Sequence, residues 1–197
     1  LMREEFYEDE TTLVDIVAEA AFDDYDLTFV ISSMERDIIV SRDATALTSS
    51  VWIDIGYPDA QALIPSNLID TTDLEQTTAE LRLSSKNDGP LQWVMGVFFS
   101  DTQRDYAQRL PTPNSAAGTD ALLGAGTSAA VANGFANLDS PFNSDLPYDI
   151  EQKAVFGEVT YDRNEKLQLT FGGRYYDTDE SRVITTGGLF ANGDAGQ

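Results

Sequence analysis

Apolar and polar residues alternate at every second position along three separate stretches of this chain. That is the period of a β-strand with one face against an apolar medium. The alternation is cleanest from Gln152 to Thr178. Leu167, Leu169, Phe171, Gly173 and Tyr175 fall on one face, and Gln168, Thr170, Gly172, Arg174 and Tyr176 on the other. Before them, Val155, Gly157, Val159 and Tyr161 alternate with Ala154, Phe156, Glu158 and Thr160, and the polar run Asp162–Glu165 joins the two strands. Thr12–Phe22 and Leu27–Val40 form a second such pair around an Asp23–Asp26 turn. Thr77–Ser85 and Leu91–Gln108 form a third around Lys86–Pro90, where Gly89 and Pro90 mark a turn. The far half of that last strand, from Ser100 on, is polar, as expected of a strand that leaves a bilayer and continues into water.

The connections carry as much information as the strands. Those inside the pairs are short. Those between the pairs, over roughly 43–72 and 109–147, are long and have no sustained period. Val51–Ile55 is expected to be a short strand. The Ala-, Gly- and Ser-rich second connection is expected to be a mobile loop with at most a short helical turn. Its Gly124, Gly126 and Ala129 fit a dinucleotide-binding spacing, but no βαβ unit surrounds them. Gly187–Gln197 reads as the start of a third long loop, and the acidic run Leu1–Glu10 as a solvated loop or frayed helix end. Short and long connections in strict alternation put every short turn on one edge of an up-and-down sheet. This is the asymmetry of outer-membrane barrels, with short periplasmic turns and long extracellular loops. Tyr25, Trp93 and Tyr161 lie near the short-turn edge, where an interfacial aromatic girdle belongs. The expected fold is all-β: an antiparallel up-and-down transmembrane β-barrel segment of about six strands of a larger barrel. The competing architecture is a soluble, secreted, acidic β-sandwich binding module with its apolar face turned inward.

Composition narrows the chemistry. At 42% hydrophobic and 23% charged residues, wholesale disorder is unexpected. Against 34 acidic residues stand 12 basic ones, a net charge of -22, which argues against a nucleic-acid partner. There is no Cys and no His. Thiolate chemistry, histidine metal ligation and a Ser-His-Asp triad are therefore excluded. Asp177 and Asp179 share a strand face but make a weak case for glycoside hydrolysis. The chain is read as a non-enzyme with no catalytic residue, metal site or cofactor.

The segments Ala79–Ser85 (AELRLSS), Leu91–Phe99 (LQWVMGVFF), Leu110–Pro113 (LPTP), and Ala154–Glu158 through Gly173–Tyr175 carry a further signal. In this order they resemble the barrel of TonB-dependent outer-membrane receptors, over most of residues 12–185. The resemblance implies a place in the outer membrane of a Gram-negative bacterium, in a 22-stranded barrel around an N-terminal plug. It also implies capture of a scarce small-molecule ligand, such as an iron–siderophore complex, by extracellular loops. The inner-membrane TonB complex would drive uptake through the plug. Neither plug nor TonB box nor terminal aromatic signature is found, so all 197 residues are expected to be one part of the barrel domain. On this reading Arg104, Tyr106 and Arg109, beside the second long loop, are the ligand-contact candidates. Glu158, Thr160, Gln168, Thr170, Arg174 and Tyr176 face the lumen, and Val155, Val159, Leu167, Leu169 and Phe171 face lipid.

Overall fold

The computed structural model describes residues 3–164 and 166–191. Glu165 of the expected third turn, and residues 192–197 of the expected third loop, lie outside the described residues. Six long strands form one antiparallel sheet in chain order: β1 (Phe6–Ala21), β2 (Tyr25–Asp43), β3 (Asn67–Ser85), β4 (Leu91–Arg109), β5 (Asn143–Asn164) and β6 (Leu167–Arg182). A short β7 (Thr185–Gly187) pairs with the beginning of β5. The first and second long connections hold four helices: α1 (Thr45–Asp54), α2 (Asp59–Ala62), α3 (Ser115–Leu123) and α4 (Thr127–Val131).

Every strand is longer toward the long-loop edge than its apolar pattern. The acidic run from Phe6 to Glu10 is strand rather than loop or helix end, because it is held in register by β2 from Ser41 to Asp37. Asn67–Gln76 and Asn143–Glu151 are likewise strand, paired along their whole length with β2 and β4. Tyr25 opens β2 instead of sitting in the turn. Val51–Ile55 is not a strand. Val51–Asp54 ends helix α1, which buries Trp52, and a lone β-branched run cannot pair where no strand edge is offered. The second connection is folded, with two helices. Gly124 and Gly126, at φ 113° and 85°, separate α3 from α4, a backbone turn that side-chain-bearing residues rarely take.

The register resolves two faces. Rows run straight across the sheet, so side chains in one row share a face. One face carries Ala20–Leu27–Leu83–Met95–Gly157–Gly173, then Ala18–Phe29–Leu81–Val97–Val155–Tyr175. Toward the long loops it becomes acidic: Glu10–Asp37–Asp73–Asp105 are successive neighbours in a single row. The opposite face is mixed throughout, as in Glu19–Thr28–Arg82–Gly96–Phe156–Arg174. Exposure differs between the two. In β4, Met95, Val97, Gln103 and Asp105 are exposed, while every residue of the mixed face from Gln92 to Gln108 is half-buried. Side chains crowd one another on the mixed face and stand apart on the other.

Among the described residues no second layer covers the apolar face. Ile16 is 62% exposed, Val155 54% and Phe171 75%. The β-sandwich, which requires that face to be inward, is therefore not the architecture. The buried aromatic cluster lies elsewhere, in the long connections: Trp52 and Ala62 at 0% and Tyr57 at 4%, with Leu189 and Phe190 packed on them.

Candidate functional site

The long-loop end of the mixed face gathers cations, phenols and one buried carboxylate. Arg104 on β4 stands opposite Tyr148 on β5, and two residues on, Tyr106 occupies the next position on the same face. The guanidinium of Arg104 lies 5.2 Å from the Tyr106 ring centroid and 5.8 Å from that of Tyr148. Both lie within cation–π range. Asp70 on β3, only 6% exposed, fixes the neighbouring position. Its Oδ1 accepts hydrogen bonds from the Tyr106 hydroxyl at 2.9 Å and Gln108 Nε2 at 2.6 Å, and its Oδ2 pairs with Arg42. Burial, and then donation to Asp70, push the Tyr106 phenol up to about 12. On the other side of the same end, Asp9 accepts from Arg36 at 2.9 and 2.6 Å and from Tyr7 at 2.6 Å. Those bonds, chiefly the ones from Arg36, hold its carboxyl well below the usual carboxylate range. This arrangement suits recognition of an anion that also offers a flat or aromatic surface.

Arg109 does not join this group. Its odd position turns it to the opposite face, where it donates to the carbonyls of Gln108 and Ser144, pairs with Asp145, and lies 4.9 Å from the Phe135 ring centroid. It ties the second connection to the top of β5. The six residues expected in the lumen do share one face. Thr160 and Thr170 meet across β5 and β6, Oγ1 to Oγ1 at 3.0 Å. Gln168 donates to Asp162 at 2.7 Å. Glu158 stands opposite Gly172, and Tyr176 opposite Ala154. Arg174 stands opposite Phe156, with its guanidinium 5.8 Å from that ring and 4.8 Å from the ring of Phe98.

Above the sheet, the connections fold on one another instead of hanging free. The Tyr57 hydroxyl donates to Thr119 Oγ1 at 2.8 Å, and Ser66 and Thr112 share a hydroxyl contact at 2.9 Å, so the first connection is bound to the second. Gln61 reaches the carbonyl of Asn114 at 3.3 Å. The segment after β6 closes the group: the Gly188 N–H donates to Val131, the Phe190 N–H donates to Pro141, and the Phe190 ring sits 4.7 Å from Trp52. Asp120 accepts the Ser128 N–H at 2.8 Å at the start of α4, which lowers its carboxyl below its ordinary value. Sequence reasoning missed Asp70, Tyr148 and Trp52. The first two become legible only when the register sets Tyr106 and Arg104 beside them. Trp52 carried no periodic signal at all.

No family model matches the chain, and no curated protein matches it. Among solved structures the sheet is similar to the ferric yersiniabactin uptake receptor FyuA from Yersinia pestis. The TM-score is 0.59 at 10% sequence identity, over 92% of this chain and 25% of that one. A second similar structure is the siderophore receptor PiuA from Acinetobacter baumannii, with TM-score 0.39 and 12% identity, over 92% of this chain and 30% of that one. The chain thus spans about a quarter of the length of FyuA. At such identities the likeness is one of fold: an antiparallel up-and-down sheet that superposes on a segment of a receptor.

Proposed function

We propose that these strands are an arc of a closed outer-membrane barrel that takes up a scarce anionic chelate of the siderophore class. The observation that carries the reading is the uncovered apolar face. Its rows run unbroken across six strands, with Val14, Ile16, Val97, Val155, Phe171 and Tyr175 all exposed. Water does not tolerate an apolar area of this extent on a monomeric protein, whereas lipid does. Nine-residue stretches whose alternate positions are apolar, 13–21 on β1 (Val14, Ile16, Ala18, Ala20) and 91–99 on β4 (Leu91, Trp93, Met95, Val97, Phe99) among them, match a tilted strand crossing a bilayer. The mixed face then lines the lumen. The short turns face the periplasm, and the folded connections stand over the extracellular mouth.

Ligand capture falls to Arg104, Tyr106 and Tyr148 beneath those connections, with Arg109 acting as an anchor of the second one. Energy for uptake comes through a plug domain and the TonB complex, both outside this chain. The lumen role of Glu158, Thr160, Gln168, Thr170, Arg174 and Tyr176 belongs to the same proposal.

The test uses single cysteines in the full-length receptor in outer membranes, since this region has no Cys of its own. Thr170→Cys is expected to react with a water-soluble thiol reagent, and Leu169→Cys only with a lipophilic one. Inertness of position 169 to both reagents, with position 170 freely reactive in a soluble fraction, would replace the barrel by a buried apolar core.

A further inference from the structure

The arginines of the mixed face fall into three kinds. Arg36, Arg42 and Arg82 are each ion-paired, with Asp9, Asp70 and Glu80. Arg104 and Arg174 have no carboxylate at ion-pair distance among the described residues, and each is laid over two aromatic rings instead. Arg182, at the end of β6, has neither. In a chain with 34 acidic residues against 12 basic ones, a cation without a carboxylate goes against the prevailing charge. The lower platform is also built. A Cβ at Gly96 would stand 2.4 Å from Phe156 Cζ and 2.7 Å from the Leu81 carbonyl, so glycine is what lets the Phe156 ring lie across β4. Phe156 and Phe98 then flank the Arg174 guanidinium, whose polar contact is a 3.5 Å approach to Gln152 Oε1. Most of its donors have no partner among the described residues. The rings of both groups stand on the same face of β4 and β5, with Arg104 on β4 and Arg174 on β6, and the stretch of β5 from Tyr148 to Phe156 separates them by about 27 Å along the strand.

We propose that Arg174, Phe98 and Phe156 form a second binding station on the lumen wall, for the same anionic, flat-faced ligand that Arg104, Tyr106 and Tyr148 meet at the mouth. The proposal rests on the barrel reading above. Repetition of one chemistry at two depths favours a ligand that passes from one to the other. A protein carboxylate seated in the lumen is the occupant to be distinguished from it. A guanidinium within cation–π distance of two rings still carries a planar fork of donors that an oxyanion can engage.

The test uses the full-length receptor in outer membranes and ferric tris-catecholate, a trianionic aromatic chelate, as probe. Two quantities are read: equilibrium binding, and the rate at which bound iron reaches the periplasm. Arg104→Gln is expected to weaken equilibrium binding by about tenfold, the loss of one charge-assisted contact. Arg174→Gln is expected to weaken equilibrium binding less than Arg104→Gln does and to slow delivery by about tenfold. Arg174→Lys should recover only part of the rate, since an ammonium does not stack or fork. Delivery by Arg174→Gln at the parent rate would overturn the station. So would a carbodiimide cross-link from Arg174→Lys to another part of the protein with no probe present, which would assign the site to a protein occupant. The thiol reactivities of Leu169→Cys and Thr170→Cys are read on the same membranes. If position 169 is inert to the lipophilic reagent, the barrel reading itself fails; if position 169 reacts with that reagent, position 170 reacts with the water-soluble one and delivery by Arg174→Gln is unaffected, the station alone fails.

Discussion

Tyr106 shows how one residue reports on its surroundings. Its phenol is half-buried and donates to a carboxylate that also holds Arg42 and Gln108. Both burial and Asp70 favour the neutral phenol, so the folded state keeps its proton up to about 12, against an ordinary value of 10.0. The sign follows from proton counting. Between pH 10 and 12 the folded state binds a proton that the unfolded chain has lost, so stability falls as pH rises through that window. The contribution is complete below pH 10. A titration of tyrosinate absorbance comparing the parent with Tyr106→Phe should show the missing component near pH 12. A difference centred at pH 10 would mean that Tyr106 does not meet Asp70. At neutral pH, Tyr106→Phe removes one of the donors to a buried carboxylate and should cost about 2 kcal/mol. Arg109, three residues on, belongs to the other face, which alternation alone already required; grouping it with Arg104 and Tyr106 rested on closeness in sequence.

At the scale of elements, the lower halves of the strands were legible and the upper halves were not. Leu81, Val159 and Phe171 contrast with Arg82, Glu158 and Gly172 because one face is apolar there and the other is not. Above that level both faces are polar. Asp73 and Thr72 look alike to a periodicity argument, and only the pairing with Asp105 and Tyr106 identifies them as strand. The helices were hidden for a different reason. Val51–Ile55 has strand-like composition, and the decision in favour of helix comes from tertiary contact, the burial of Trp52 against Tyr57 and Phe190. Those contacts join three connections into one cap, which sets a test. Trp52→Ala should raise amide hydrogen exchange in helix α3 as well as in α1, although α3 belongs to the other long connection. The loss of so large a buried ring is worth about 3–5 kcal/mol. Exchange confined to residues 44–66 would show the connections to be independent loops.

For the whole molecule, the distribution of charge and apolar surface decides where the sheet can exist. The apolar face gives way to rows such as Glu10–Asp37–Asp73–Asp105, where like charges stand opposite one another at a cost that cross-strand pairing does not repay. Such rows are tolerable only in water, and on the proposed barrel reading the rows below them stand in lipid. The boundary lies near Ser33, Thr77 and Asp101, which share a single row. β1 and β6 each have one long edge without a partner among the described residues, and in hydrocarbon each unpaired N–H or C=O costs several kcal/mol. The sheet therefore needs further strands on both edges to reside in a membrane, and needs lipid or detergent to keep its apolar face from water. Residues 1–197 expressed alone in buffer without detergent should aggregate, and size-exclusion chromatography should give no compact monomer. In detergent the same chain should still form mixed oligomers, because detergent covers the apolar face but cannot pair the edges. A monodisperse compact monomer in plain buffer would contradict both halves of this argument, since it would require the apolar rows to be buried and the edges to be closed within the chain itself.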